Sequence, residues 1–359
     1  MYKLDKIQIK SKHKDYYVSF GKFHLGNILN QKDTFIILDS NLASVIDLPK
    51  STNLILVDPG EGTKDYSGVS EILSLLVAKG VNRNHTLAVI GGGSIQDVGT
   101  FVASIYMRGI EWIFFPTTLQ AMADSCVGGK SAINLGVNKN LIGNYYPPKS
   151  ISIDIAFTKS LSAYDLACGL IEALKITYAS GPGPTRKFLK LLDIYLQSDQ
   201  IDPELIEQMV HLSLICKKNF IEEDEFDHGI RKLLNFGHTY GHAIEASTSF
   251  KVHHGIAVGI GILASLEHRD DKSLSAFEQS IVLAIRKLLN PFSKEIKQLV
   301  SEMSFESFSE QVQKDKKSDA EYLTFIHSID GELKRVSLPN NEATRMDAYK
   351  SVGQAANAI

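Results

Sequence analysis

The chain has 359 residues, 44% of them hydrophobic and 22% charged, with a formal net charge of −3. That length exceeds the usual single core, so two domains are expected. The near-balanced charge, with no dense basic stripe, gives no reason to expect nucleic acid or an anionic membrane as partner, and a small molecule is expected instead.

The start of the chain, Met1 to Lys6, is charged and has no apolar run of signal length, and no later segment reads as a membrane span. The scattered Cys126, Cys168 and Cys216 provide neither a disulfide framework nor a cysteine zinc site, and point to a reducing cytoplasm. Apolar runs at 35–39, 54–57, 87–90 and 113–115 read as buried strands alternating with helical patterns, the signature of a parallel α/β sheet. The third runs into Gly91-Gly92-Gly93-Ser94, with Asp97 shortly after, and the fourth into Pro116-Thr117-Thr118. Glycines before a helix let a pyrophosphate approach the helix amides, but the run is not G-x-G-x-x-G and equally describes a tight turn. Asp39 could hold ribose hydroxyls or cap a helix before Asn41. The segment from Asp124 to Lys130, followed by Lys139-Asn140, places lysines among glycines and reads either as an anion site or as solvated loop.

From about Ile155 onward helical periodicities dominate, at 163–178, 203–220, 233–247 and 255–267. The expected division is therefore an α/β domain over 1–155 and a mainly helical domain over 156–359, with 181–184 a loop between helices. Glu172 and Lys175 fall on a helix that is apolar nearly all round, so both charges need partners. Four of the eleven histidines lie within 235–254. Helical spacing puts His238 and His242 one turn apart with Glu245 close by, a metal or acid–base cluster, or else a helix whose histidines cap and pack. A strand at 322–326 and a turn at Asp330-Gly331 close the pass; no internal repeat is present.

In order along the chain, Gly91-Gly92-Gly93 with Asp97, Tyr106-Met107-Arg108-Gly109, Pro116-Thr117-Thr118-Leu119, Asp124 to Lys130, Lys139-Asn140, Glu172 with Lys175, and Leu234 to His238 through His254-Gly255 resemble 3-dehydroquinate synthase and, more broadly, the sugar phosphate cyclases. The resemblance implies a Rossmann-like N-terminal domain binding NAD⁺, a helical C-terminal domain holding Zn²⁺ (or Co²⁺), substrate in the cleft, and a homodimer. Zn²⁺ falls on Glu172, His238 and His254, which moves His242 from the metal to the substrate phosphate. NAD⁺ falls on Asp39, Asn41, Glu61, Lys64, Gly92, Gly93, Asp97, Thr117, Thr118 and Asp124, with Lys130 and Lys139 at the nicotinamide and substrate end beside Asn140. Lys175, Lys217, Arg231 and Asn235 would hold substrate, the basic pair facing its carboxylate. Arg108 would reach the phosphate of the neighbouring subunit, and Lys316 or Lys317 would supply a further phosphate contact.

The implied reaction closes 3-deoxy-D-arabino-heptulosonate 7-phosphate to 3-dehydroquinate with loss of phosphate, by oxidation, β-elimination, reduction and aldol addition. The chain departs from the family at Asn138 before Lys139, at Gln120 and through Ile133 to Val137. Arg231, Asn235 and His242, which relatives acting on other sugar phosphates usually alter, are intact, although an amino-substituted analogue would use the same residues. A metal-dependent polyol dehydrogenase is the alternative from another enzyme class.

Overall fold

The computed structural model describes residues 6–22, 28, 31–46, 53–60, 62–136, 138–198, 202–267, 274–315 and 320–359. They form two compact units, one of Met1–Leu161 with Ile201–Asp227 and the other of Ser162–Gln200 with His228–Ile359.

The first unit is built on seven strands: β1 (Ile7–Ile9), β2 (Tyr16–Phe20), β3 (Thr34–Asp39), β4 (Leu54–Val57), β5 (Thr86–Gly91), β6 (Glu111–Pro116) and β9 (Ser150–Ile153). A hairpin of β7 (Ile133–Leu135) and β8 (Asn138–Ile142) precedes β9. The sheet order is β1-β2-β9-β6-β5-β3-β4, parallel throughout except for β1 against β2. All six residues of β3 are buried, as a parallel strand covered on both faces requires. The chain runs from β3 outward to β4 and then returns to β5 on the other side of β3. The topological switch point therefore lies between β3 and β5, where open α/β sheets bind ligands at the strand ends. Helices α1 (Tyr66–Ala78), capped by Asp65 on the Gly68 amide at 2.9 Å, and α2 (Gly93–Ile105) cross over the sheet.

In the second unit, α3 (Ala163–Ala179) starts at a Ser162 cap and buries every residue from Leu166 to Tyr178. Helix α4 (Pro182–Leu196) begins inside the expected 181–184 loop: Gly181 is the cap, at φ 99°, and Pro182 takes the first helical position, where its missing N–H costs nothing. Helix α5 (Pro203–Glu223) also starts with proline behind an Asp202 cap, but groups with the first unit, unlike the uninterrupted span 156–359 expected for the second domain. The cause is polar and long-range. The Ser213 hydroxyl donates to the Ala123 carbonyl at 2.8 Å, and the Lys10 amide donates to Glu222 at 2.7 Å.

The expected helix at 233–247 is broken. A 3-10 turn, Ile230–Asn235, gives way at Phe236 and Gly237 before α6 (His238–Ser247). Gly237 has φ 76°, and a Cβ there would stand 2.7 Å from the Val258 carbonyl of α7 (His254–Glu267). The close approach of the two helices therefore sets the break and the start of α6 at His238. Helices α8 (Ala276–Leu289), α9 (Ser293–Ser301), α10 (Phe305–Gln313) and α11 (Glu342–Asn357) complete the unit, with a hairpin of β10 (Tyr322–Ile329) and β11 (Glu332–Pro339) turning at Asp330-Gly331. The strand is longer than 322–326, because all eight residues of β10 pair with β11. Among the described residues no helix is long and apolar enough to cross a membrane.

Candidate active site

In the first unit, candidate residues gather at the carboxyl ends of β3, β5 and β6. Asp39 ends β3 one residue beyond the Leu38–Ile90 pairing and so stands beside Gly91. Its carboxylate accepts the Asn41 amide at 3.0 Å, capping a 3-10 turn, Ser40–Ser44, so the capping role is present. Burial raises its pKa, against the lowering effect of that amide, and Asp58 raises it further. Gly92 is the N-cap of α2 with no side-chain capping bond, so the first amides of a helix starting at Gly93 are available to a pyrophosphate. Thr117 is buried and Thr118 half-buried just beyond β6.

Lys64 is 6% exposed and holds Asp97 at 2.7 Å and the Asn140 side chain at 2.7 Å. Asp97 also accepts the Ala132 amide at 3.1 Å. The structure thereby ties α2, the residues before α1 and the β7–β8 hairpin carrying Lys139 and Asn140 into one polar cluster. Asp124 lies in a single π-helical turn, Ala121–Ser125, an irregularity that often marks functional sites. It pairs with Lys217 of α5, whose ammonium also donates to the Asp124 carbonyl at 2.6 Å. Lys130, exposed, pairs with Asp227 at 2.6 Å.

Arg108 is not brought to this edge. It sits on an exposed turn after the C-terminal end of α2, with Met107 and Arg108 both left-handed at φ 49° and 68° and the Met107 carbonyl accepting two bonds from the Arg83 guanidinium. Thirteen helical residues separate it from Gly92, about 20 Å. Glu61, Lys316 and Lys317 lie outside the described residues.

The second unit holds the histidine cluster. Ligand atoms of His238, His242 and His254 all lie within 4.8 Å of one another. Glu172, from α3, approaches one of them: its Oε1 is 3.2 Å from His254 Nε2. The same residue's Oε2 accepts the Lys175 ammonium, one turn along α3, so the two charges on that buried helix satisfy one another. Burial works to lower the His254 pKa, but the carboxylates of Glu245 and Glu172 overcome it and push it up to about 10. His238 is 9% exposed and donates from Nδ1 to the Phe236 carbonyl at 3.2 Å. His242 is exposed. Arg231, buried, and Asn235 both belong to the 3-10 turn that precedes α6.

These donors fit a divalent cation. Glu172 Oε1 is wholly buried and faces the His254 ring nitrogen at 3.2 Å, a place where a cation could be held between the two. One carboxylate and imidazole nitrogens form a donor set suited to zinc. Proximity favours His242, whose ligand atom lies within 4.8 Å of those of both other histidines, whereas Glu172 is placed against His254; Glu172 is sealed and His242 is exposed. Sequence reasoning missed Asp227, which holds Lys130, and Asn134, whose side chain accepts the Asn140 amide at 3.0 Å. Neither stands in a spacing that signals its partner.

Residues 54–168 match the family model described as 3-dehydroquinate synthase N-terminal, and residues 169–318 the one described as 3-dehydroquinate synthase C-terminal. The chain is 31% identical to the 3-dehydroquinate synthase of Pelagibacter ubique over 355 residues, covering 94% of each. It is 38% identical to that of Dictyoglomus thermophilum over 268 residues, 72% of this chain and 75% of the relative. Among solved structures the fold is similar to 2-deoxy-scyllo-inosose synthase complexed with carbaglucose-6-phosphate, NAD⁺ and Co²⁺, at TM-score 0.80 and 20% identity over 98% of this chain and 99% of that one. It is also similar to 2-epi-5-epi-valiolone synthase from Streptomyces hygroscopicus with NAD⁺ and Zn²⁺ bound, at TM-score 0.76 and 21% identity over 100% of both. With both family halves matched in order and near-complete coverage above 30% identity, the chain belongs to the 3-dehydroquinate synthase family.

Proposed function

We infer that this chain is a 3-dehydroquinate synthase, a carbon–oxygen lyase of the shikimate route to chorismate and the aromatic amino acids. It would convert 3-deoxy-D-arabino-heptulosonate 7-phosphate to 3-dehydroquinate and phosphate in the cytoplasm, a compartment that suits its three free, buried cysteines. The observation that supports the reading is the convergence of His238, His242 and His254, with Glu172 Oε1 3.2 Å from His254 Nε2, in a chain of this family.

Those three residues would hold Zn²⁺ or Co²⁺, which supplies Lewis-acid polarisation of a substrate hydroxyl or carbonyl. Asp39, Asn41, Glu61, Lys64, Gly92, Gly93, Asp97, Thr117, Thr118 and Asp124, with Lys130 and Lys139, would hold NAD⁺, which supplies a transient hydride acceptor. The chain's own residues then bind and orient. Arg231 offers a planar fork to the substrate carboxylate, with Lys217 as the second charge and Asn235 and Asn140 as neutral hydrogen-bonding groups. Lys175 matches negative charge that develops on substrate oxygen. His242, exposed beside the buried cluster, would hold a proton toward the departing phosphate, which itself can take the proton for β-elimination. Keeping one substrate conformer is then the protein's main task. Arg108, about a helix length from Gly92 on an exposed turn, would reach the phosphate of a partner in a homodimer.

The test is incubation with the heptulosonate phosphate, Zn²⁺ and NAD⁺. Phosphate and 3-dehydroquinate should appear together while NAD⁺ returns unchanged. Net NADH without phosphate release would make the chain a dehydrogenase, and turnover of a different sugar phosphate alone would make it a related cyclase.

A further inference from the structure

We infer that Glu245 is a positioning residue for the metal centre: its carboxylate accepts the Nδ1–H of His254 and so reserves the Nε2 lone pair for the cation. The inference rests on the reading of Glu172, His238 and His254 as ligands.

His254 stands between two carboxylates, one at each ring nitrogen. Nδ1 is 2.8 Å from Glu245 Oε2, and Nε2 is 3.2 Å from Glu172 Oε1. An ionised carboxylate only accepts, so the nitrogen in the shorter, hydrogen-bonded contact carries its proton. Nε2 is then the nitrogen left to face Glu172 Oε1, at 3.2 Å. At that separation a divalent ion would take the place of a proton between them and be bound by both.

The local fold delivers this geometry. His238, His242 and Glu245 recur at i, i+4 and i+7 on one face of α6. The helix ends at Ser247, and the next turn holds Ser249 and Phe250 left-handed at φ 52° and 62°. The Phe250 amide donates to the Glu245 carbonyl at 2.7 Å, so the chain reverses over the backbone of the residue whose side chain receives His254 at the start of α7. His238 follows the same rule, with its Nδ1 tied to the Phe236 carbonyl at 3.2 Å. An acceptor on the far nitrogen of a ligand histidine orients the ring and raises its basicity, and losing one typically weakens metal affinity about 10–100-fold.

The experiment uses the full chain and measures zinc affinity by chelator competition, with ¹⁵N spectra of the zinc-loaded histidines. The wild type should show His254 protonated at Nδ1 and metal-bound at Nε2. Glu245→Ala should weaken zinc binding about 10–100-fold. Glu245→Gln, which keeps the volume and an acceptor oxygen, should recover part of the loss and guards against a folding defect. Wild-type zinc affinity in both Glu245 variants, with binding lost in His254→Ala, overturns the inference while sparing the metal reading. Unchanged binding in His254→Ala overturns both.

Discussion

Glu172 and Lys175 form a buried ion pair one turn apart on α3, in which the Lys175 ammonium engages Oε2 of Glu172 and leaves Oε1 turned toward His254. Both side chains are almost wholly sealed, at 2% and 0% exposure, so neither charge has water to fall back on. Lys175→Met leaves the buried Glu172 carboxylate with His254 as its remaining charged partner and is expected to cost the metal-free protein about 3–5 kcal/mol. Excess zinc should raise the melting temperature of this variant more than that of the wild type, since the cation supplies the missing positive charge. The double variant with Glu172→Gln should regain much of the loss, because no buried charge remains. Denaturant and thermal melts with and without zinc decide it; a single variant as stable as wild type would mean that the pair contributes nothing.

Gly255 follows His254, the proposed metal ligand, and is where α7 meets α3. A Cβ at that position would stand 2.4 Å from the Cys168 Cα and 2.5 Å from its carbonyl oxygen, and neither backbone atom can swing aside. Gly255→Ala should therefore separate the two helices, at about 1–3 kcal/mol for overpacking, and lengthen the gap between Glu172 and His254. Zinc affinity should fall in step with stability. Gly353→Ala provides a control of opposite sign: it lies within α11 with nothing in reach of a Cβ, so alanine should stabilise by about 0.5–1 kcal/mol. Equal zinc binding in Gly255→Ala and wild type would show that the helix contact does not set the metal geometry.

How far the sequence reveals this molecule depends on the range of the forces involved. Strands β3 to β6 are legible because uninterrupted apolar residues with flanking turn signals can satisfy burial in few other ways. Helix α3 is legible as buried for the same reason, and the mutual need of Glu172 and Lys175 follows from it. The break at Gly237 is not legible, since the pattern over 233–247 is good helix and what interrupts it is Val258, on another helix. Nor is the allegiance of α5, which bonds to Ala123, Asp124 and Lys10 set. At the site, helical spacing draws His238 and His242 together, whereas His254 and Glu172 arrive from other helices. Their proximity could be anticipated only through family resemblance, and Glu245 as the partner of His254 was visible merely as a neighbouring acid.

Asp39 sets a cost in stability against a role in binding. At 8% exposure its carboxyl pKa is raised, by burial first and by Asp58 as well, with the Asn41 amide pulling the other way. An acid whose folded pKa lies above its unfolded value costs the native state nothing while both forms are protonated. The cost grows as pH rises through the ordinary carboxylate range and is complete above the raised value. Asp39→Asn keeps an acceptor for the Asn41 amide and removes the charge. The cofactor-free variant should therefore melt higher than wild type at pH 7.5, and the advantage should shrink toward zero as pH falls to about 4. If Asp39 takes ribose hydroxyls, the same change removes charged acceptors worth about 1.5–3 kcal/mol, so NAD⁺ should bind roughly ten- to a hundredfold more weakly. Thermal melts across pH and a calorimetric NAD⁺ titration separate the two effects. A variant that melts lower at pH 7.5 contradicts the burial cost, and an unchanged Kd removes Asp39 from the cofactor site and leaves it a helix cap.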